Sequence, residues 1–144
     1  YQELMVRALQ VQAMMPIMNF SLAPWNSLDE KHLSACVAAT NLREENAKYL
    51  IKLAGLAATR GIPMIQSMEF VYPLGADEEP LYQFMLGADM VVAPVVKYGE
   101  RKKEVFLPAG IWLGKGNRAY QGPTTLTVNA PLNEIPYFRR AVTK

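Results

Sequence analysis

The sequence is poor in residues that bind metals, form disulfides or give a strong net charge. Its single cysteine, Cys36, cannot form an internal disulfide, and no Cys/His cluster has metal-ligand spacing. Charged residues make up 19% of the chain and the formal net charge is +2, so bulk charge selects neither nucleic acid nor a membrane surface. The longest apolar run, Met90–Val96, contains Pro94 and is too short to span a bilayer. We therefore expect no metal, no cofactor, no nucleic-acid partner and no membrane contact from this segment.

The sequence is rich in apolar residues. Hydrophobic residues occupy 51% of its 144 positions, which indicates a globular chain of the usual length for one domain. The chain begins Tyr-Gln-Glu-Leu, with neither an initiator methionine nor a basic-then-apolar leader, so we expect a segment of a longer polypeptide. The compartment in which the protein works stays open.

The N-terminal half alternates predicted helices with predicted strands. Residues Glu3–Met15 are apolar around much of the helical circumference and Pro16 forbids continuation, which predicts a buried helix. A short strand-like segment, Ile17–Ser21, follows, and Met64–Tyr72 predicts a later strand. One strand-helix-helix-strand piece cannot close a sheet or cover both of its faces. This half is therefore expected to be part of something larger.

A long helical stretch separates the two predicted strands. Ser27 and Glu30 have the spacing in which each side chain satisfies the other's backbone N–H, which predicts a helix start. The stretch ends at Arg60, because Gly61 can adopt the left-handed conformation that closes a helix. Since the stretch is long for a globular protein, we expect a break near Thr40–Asn41.

After Pro73 a loop rich in Gly, Asp, Glu and Pro leads into short β-rich segments. The predicted strands are Met90–Val96, Val105–Leu107, Ile111–Leu113, Thr124–Val128 and Ile135–Phe138. Gly or Pro punctuates nearly every gap, which is typical of a β-sandwich built from hairpins.

Two polar clusters in this half have competing interpretations. Residues 114–119 superficially resemble a dinucleotide-binding glycine loop, but the following Tyr120–Pro123 cannot form the helix that such a site needs, so a hairpin loop is predicted. Arg101–Lys103, flanked by Glu100 and Glu104, is interpreted as a solvated hairpin tip.

Seven segments, in order, carry a family resemblance. They are residues 3–10 (ELMVRALQ) followed by 13–16 (AMMP), 24–25 (PW), 61–64 (GIPM), 72–73 (YP), 83–89 (QFMLGAD) with 91–95 (VVAPV), 104–112 (EVFLPAGIW) and 130–136 (APLNEIP). Together they resemble the C-terminal side of glycoside hydrolase family 31, and the pattern is closest to its myogenesis-regulating glycosidase branch. The resemblance implies α/β followed by all-β structure: residues 1–80 as the C-terminal part of a (β/α)8 TIM barrel, and 81–144 as the incomplete start of a β-sandwich domain.

The resemblance also implies an activity. Family members are retaining α-glycosidases that use two Asp residues, and by the resemblance both lie on barrel strands upstream of Tyr1. This segment would then contribute barrel closure and part of the sugar pocket, with no catalytic residue, and would be inactive alone. The expected partners are an oligosaccharide or glycoside substrate and the rest of the chain's own barrel. A secretory, lysosomal or extracellular location is suggested by resemblance only, so localisation is unknown.

Asn19, Ser21 and Trp25 are the predicted substrate-binding residues. Asn19 and Ser21 stand where typical family members have an Arg and a His that contact the cleaved sugar, and a short amide or hydroxyl can hydrogen-bond a sugar hydroxyl. The alternative is a polar loop that turns toward Trp25. Trp25 can stack on a sugar ring or wedge its loop onto the barrel. Glu69, on the predicted last strand, is the sole rival catalytic carboxylate, and its alternative is a solvated or ion-paired side chain.

A second hypothesis is a non-catalytic sugar-binding or regulatory module. It is motivated by the replacements at Asn19, Ser21 and Gln66, where family members typically carry other residues.

Overall fold

The computed structural model describes residues 1–72 and 82–141. The helices are α1 (Gln2–Ala13), α2 (Pro24–Ser27), α3 (Glu30–Glu45), α4 (Ala47–Arg60) and α5 (Met68–Val71). The strands are β1 (Ile65–Ser67), β2 (Phe84–Leu86), β3 (Met90–Val92), β4 (Lys102–Leu113), β5 (Ala119–Asn129) and β6 (Tyr137–Arg140), with a short 3-10 turn at Lys115–Asn117. The loop predicted after Pro73 lies mostly outside the described residues.

Helix α3 begins two residues later than predicted. Its N-cap is Asp29, whose Oδ1 accepts a hydrogen bond from the His32 backbone N–H at 2.9 Å. The reciprocal cap predicted at Ser27 is therefore wrong, because an aspartate in the extended conformation satisfies the free N–H directly. The predicted end of α4 is confirmed, since Gly61 has φ of 65°.

The break between α3 and α4 falls at Asn46, beyond the predicted Thr40–Asn41. The Thr40 hydroxyl donates to carbonyls within its own helix, so the helix continues through it. Asn46 is buried; its Nδ2 donates to the Leu42 carbonyl at 2.8 Å and its Oδ1 accepts from Arg139 Nη2 at 2.5 Å. A contact from β6 thus holds the residue where the helical stretch divides, which the local sequence does not reveal.

The six strands form one sheet in the order β1-β2-β3-β6-β4-β5, and every pairing is antiparallel. The strand predicted at Met64–Tyr72 covers only Ile65–Ser67, because Ser67 Oγ accepts from the Phe70 N–H and begins α5. The segment Ile17–Ser21, predicted as a strand, forms none. Within the described residues it has no strand neighbour to pair with.

Strands β4 and β5 form one long bent hairpin. The predicted strands Val105–Leu107 and Ile111–Leu113 are the two halves of β4, joined across a register shift between Leu107 and Gly110. Such a bulge bends a strand and increases its twist. A Cβ at Gly122 would lie 1.9 Å from the Pro108 carbonyl oxygen, so only glycine fits opposite the bend.

The sheet buries apolar side chains on both faces. Alternate residues point to opposite sides of a strand, so neighbouring residues contribute their side chains to two different hydrophobic cores. One core, against Met14 and α4, contains Leu50, Leu53, Leu86, Met90, Val92 and Ile135. The other, enclosed by the bent hairpin and α5, contains Met68, Met85, Val91, Ala93, Val105, Leu107, Trp112 and Phe138. A third cluster joins α1 to α3 through Val6, Leu9, Ala35, Cys36 and Leu132.

These features confirm the prediction of a β-rich C-terminal half and place it beside a helical layer. The hairpin predicted at residues 114–119 is confirmed by the turn between β4 and β5. The division into barrel and sandwich remains a prediction. No helix within the described ranges is long and apolar enough to cross a membrane.

Candidate functional site

The three predicted sugar-contacting residues lie on the chain between α1 and the end of α2. Residues 14–23, here called the α1–α2 segment, carry Asn19 and Ser21, and Trp25 follows in α2. Asn19 and Ser21 are exposed and Trp25 is 66% exposed. Pro24, the first residue of α2, is buried and anchors the short helix instead. All three predicted side chains are therefore accessible.

Apolar side chains surround these polar ones. Ile17 is 77% exposed, Phe20 44% and Leu22 53%, so with Trp25 they form a contiguous stretch of chain that displays large apolar groups. Exposed apolar groups concentrated in one place mark a contact site, in contrast to single scattered ones. Alternating polar and aromatic groups suit a ligand with hydroxyls on its edge and C–H groups on its face.

The backbone of the α1–α2 segment is fixed by two side chains that the sequence did not single out. Arg43 of α3 donates from Nη1 to the Gln12, Ala13 and Met15 carbonyls at 3.2, 3.4 and 2.7 Å, and from Nη2 to the Pro16 carbonyl at 2.9 Å. The Gln12 side chain Oε1 accepts from the Asn19 backbone N–H at 3.1 Å. No local pattern links position 43 to position 12, so sequence reasoning had no signal for this contact.

Gln66, one of the replaced residues, and its neighbour Ser67 have local roles in the structure. Gln66 Nε2 donates to the Pro63 carbonyl at 3.4 Å, and Ser67 caps α5. Glu69, predicted on a strand, lies exposed in the first turn of α5. The placement that made it a rival catalytic carboxylate is therefore wrong, since α5 replaces the end of the strand.

His32 and Asp29 belong to a helix cap. His32 Nδ1 lies 2.7 Å from Asp29 Oδ1, and the Asp29 backbone N–H donates to Gln2 Oε1 at 2.7 Å. The backbone hydrogen bond from His32, and then that residue's side chain, lower the pKa of the Asp29 carboxyl. This pair joins the start of α3 to α1. Among the described residues no three or more His, Cys, Asp or Glu side chains are grouped so as to hold a metal ion.

Three polar side chains of α1 bind residues of the C-terminal half. Glu3, Arg7 and Gln10 are together called the clasp. Arg7 is 6% exposed and donates to four backbone carbonyls, while Gln10 Nε2 donates to the Leu132 carbonyl at 2.7 Å. Glu3 binds Arg101 through two contacts, Oε1 to Nη1 at 2.6 Å and Oε2 to Nη2 at 3.1 Å. The hydrogen bond from Arg101 is the main cause that lowers the pKa of the Glu3 carboxyl.

This clasp was missed by the sequence interpretation. Arg101 and Lys103 were assigned to a solvated hairpin tip, but Arg101 pairs with Glu3, and Lys103 is buried with a pKa lowered by desolvation. A usable signal existed: Glu3 and Arg7 are four residues apart on a helix that is apolar around much of its circumference, which puts both on one face. Their position on the buried face could not be read from spacing alone.

A wide groove lies away from the three predicted sugar-contacting residues. A groove of about 1040 Å³ lies between α3 and the turn that joins β4 to β5, and Arg118, Glu134 and Tyr137 contribute to its walls. Lys115 and Glu134 form an ion pair at its edge. None of Asn19, Ser21 and Trp25 lines it. The α1–α2 segment is thus an open surface among the described residues, and the groove is a separate feature.

The comparisons with known proteins agree with one another. Residues 61–143 match the family model of the glycosyl hydrolase family 31 C-terminal domain. The chain is 32% identical over 140 residues to the myogenesis-regulating glycosidase of Mus musculus, covering 95% of this chain and 20% of that protein. It is 33% identical over 152 residues to a sulfoquinovosidase of Agrobacterium fabrum, covering 96% of this chain and 22% of that protein.

A solved structure extends the agreement to three dimensions. The cycloalternan-forming enzyme of Listeria monocytogenes, in complex with a pentasaccharide substrate, superposes with a TM-score of 0.88 at 30% identity, covering 97% of this chain and 15% of that chain. The chain spans about a fifth of the length of the two relatives above.

Proposed function

Because the chain belongs to glycoside hydrolase family 31, we propose that the protein it comes from hydrolyses terminal α-linked sugars with retention of configuration. In this proposal residues 1–80 are the C-terminal part of a (β/α)8 barrel and 81–144 begin a β-sandwich that braces it. The exposed side chains of Ile17 and Leu22 support the proposal, because they would face the remaining strands and loops of the barrel, whereas Trp25 is left for the sugar.

The chain's part in the reaction is to bind the sugar. Retaining hydrolysis needs two carboxyl groups about 5 to 5.5 Å apart, one acting as nucleophile and one as acid and then base. The proposal assigns both to residues outside this chain, since Glu69 lies on a helix of the described structure. Residues 1–144 alone would then bind without turnover.

Asn19, Ser21 and Trp25 are the proposed sugar-contacting residues. The single observation that carries this assignment is that all three remain exposed, Asn19 and Ser21 on the α1–α2 segment, whose backbone is bound by Arg43 and Gln12, and Trp25 in the helix that follows. A fixed amide and hydroxyl can discriminate between sugar epimers, because a wrong epimer leaves them unpaired. The indole of Trp25 can stack on the apolar face of a pyranose ring.

The test uses the full-length gene product and the aryl α-glycoside that it turns over fastest. Asn19→Ala and Ser21→Ala should each lower kcat/KM by about 10- to 100-fold, because each lost hydrogen bond to a buried sugar hydroxyl is worth about 1–3 kcal/mol. Asn41→Ala and Ser34→Ala are the matched controls, since both residues are exposed on α3. Equal kinetics in all four variants would refute the sugar contact.

If the full-length protein turns over no glycoside, calorimetric titration with the same sugars distinguishes the second function. Saturable binding that Asn19→Ala and Ser21→Ala weaken supports a non-catalytic sugar-binding module. The replacements at Asn19, Ser21 and Gln66 are the observation that favours this alternative.

A further inference from the structure

Arg43 holds the end of α1 in place. The last carbonyls of a helix have no partner within it, and Pro16 prevents the helix from continuing. Arg43 supplies those partners from α3, with its shortest contact, 2.7 Å, to the Met15 carbonyl and another of 2.9 Å to the Pro16 carbonyl. Its positive charge also faces the negative end of the α1 dipole. The guanidinium therefore fixes the point at which the chain leaves α1.

Gln12 connects Arg43 to Asn19, one of the predicted sugar-contacting residues. Its backbone carbonyl accepts from Arg43 Nη1 at 3.2 Å, and its side-chain Oε1 accepts from the Asn19 N–H at 3.1 Å. One residue thus binds both the anchor and the backbone of Asn19. The path from α3 to the Asn19 backbone N–H consists of two hydrogen-bonded steps.

We propose that Arg43 is a positioning residue that sets the placement of Asn19 and hence the affinity for sugar. This inference rests on the proposed function, because it needs Asn19 to contact the ligand. Arg43 itself lies on α3, and within the described residues its guanidinium donates to backbone carbonyls of α1 and the α1–α2 segment. Its effect on sugar binding is therefore indirect, through the position of the α1–α2 segment.

Pairing of α1 with α3 does not depend on Arg43 alone. Val6 and Leu9 of α1 pack with Ala35 and Cys36 of α3 in a buried cluster nearer the start of both helices. A variant at position 43 should therefore keep the helices together and release mainly the α1–α2 segment. Lysine cannot replace the arginine fully, because one ammonium nitrogen cannot reach carbonyls that two guanidinium nitrogens share.

The experiment measures KM for the aryl α-glycoside that the full-length protein turns over fastest, and the inhibition constant of the corresponding free monosaccharide. Both are measured well below the melting temperature. We expect Arg43→Ala to raise both constants about tenfold, with a smaller change in kcat, since misplacement of a contact costs up to about 100-fold. Arg43→Lys should lie between. Arg60→Ala, at the exposed end of α4, is the matched control and should change neither.

A double-mutant cycle with Asn19→Ala separates positioning from a general loss of stability. If Arg43 acts through Asn19, the double variant should be no worse than the weaker-binding single variant. Additive effects, or an unchanged inhibition constant in Arg43→Ala, would overturn the inference and leave the proposed function intact. If Asn19→Ala and Ser21→Ala change nothing, the proposed sugar contact fails and the inference fails with it.

Gln12→Ala keeps the test decisive if Arg43→Ala does not fold. It removes the contact to the Asn19 N–H and leaves the α1 carbonyls bound to Arg43. The inference requires weaker sugar binding in this variant too. Wild-type affinity in Gln12→Ala would overturn it.

Discussion

Replacing Arg7 by methionine should be among the most damaging single substitutions in this chain. The guanidinium donates from Nη1 to the carbonyls of Pro131 and Glu134, both at 3.1 Å, and from Nη2 to those of Glu100 and Ala130, at 3.2 and 2.9 Å. Methionine matches the aliphatic stem of arginine as far as Nε but has no guanidinium, so it leaves four carbonyls unpaired. The change therefore keeps the packing of the stem and removes the hydrogen bonds.

The expected loss is about 3–5 kcal/mol. Removing one partner of a buried ion pair costs about that much, and each unsatisfied buried acceptor costs about 1–3 kcal/mol when water cannot reach it. The acceptors share only two donor nitrogens, so their costs do not add. Glu3 also loses a cation 3.9 Å away but keeps Arg101. Arg60→Met, at an exposed site, should cost less than about 0.5 kcal/mol.

Hydrogen exchange on the full-length protein locates the loss. Peptides that cover α1 and residues 130–135 should exchange about a hundredfold faster or more in Arg7→Met, because each 1.36 kcal/mol is about a factor of ten. The Ala130 N–H, bound to the Arg101 carbonyl at 2.8 Å, is a suitable reporter. Exchange indistinguishable from that of Arg60→Met would refute the reasoning that the clasp joins α1 to the β-rich half.

Two further predictions concern stability. Glu3→Gln should lower the free energy of unfolding at neutral pH. Arg101 holds the pKa of the Glu3 carboxyl below its ordinary value. The stability difference between the wild type and Glu3→Gln should therefore shrink as the pH falls below the ordinary pKa of a glutamate, and vanish once the carboxyl is protonated in the folded protein. Urea titrations across the acid range check this, and a pH-independent difference would contradict it. Gly122→Ala should cost more than about 4 kcal/mol, because its Cβ would meet the Pro108 carbonyl oxygen. Thermal melts measure this loss, with Gly55→Ala as the control, because alanine in that open helical position should instead add up to about 1 kcal/mol.

Features that depend on neighbouring positions were readable from the sequence. Pro16 after an apolar helix, Gly61 after Arg60, and the glycines at 114 and 116 predicted helix ends and a hairpin turn that the structure confirms. Seven collinear segments predicted the family, which the comparisons confirm. These predictions are confirmed because they depend on local backbone preferences, which tertiary contacts rarely override.

Contacts between distant positions were decided only by the tertiary structure. Asn46 divides the long helix because β6 brings Arg139 to it. In the sequence Arg7 and Arg43 look like ordinary cations on helix surfaces. In the structure each binds several backbone carbonyls of another segment. A guanidinium's partners depend on which chain segments arrive within about 3 Å of it. Local sequence sets helix ends and turns, whereas the packing of the whole chain determines which charged side chains hold its parts together.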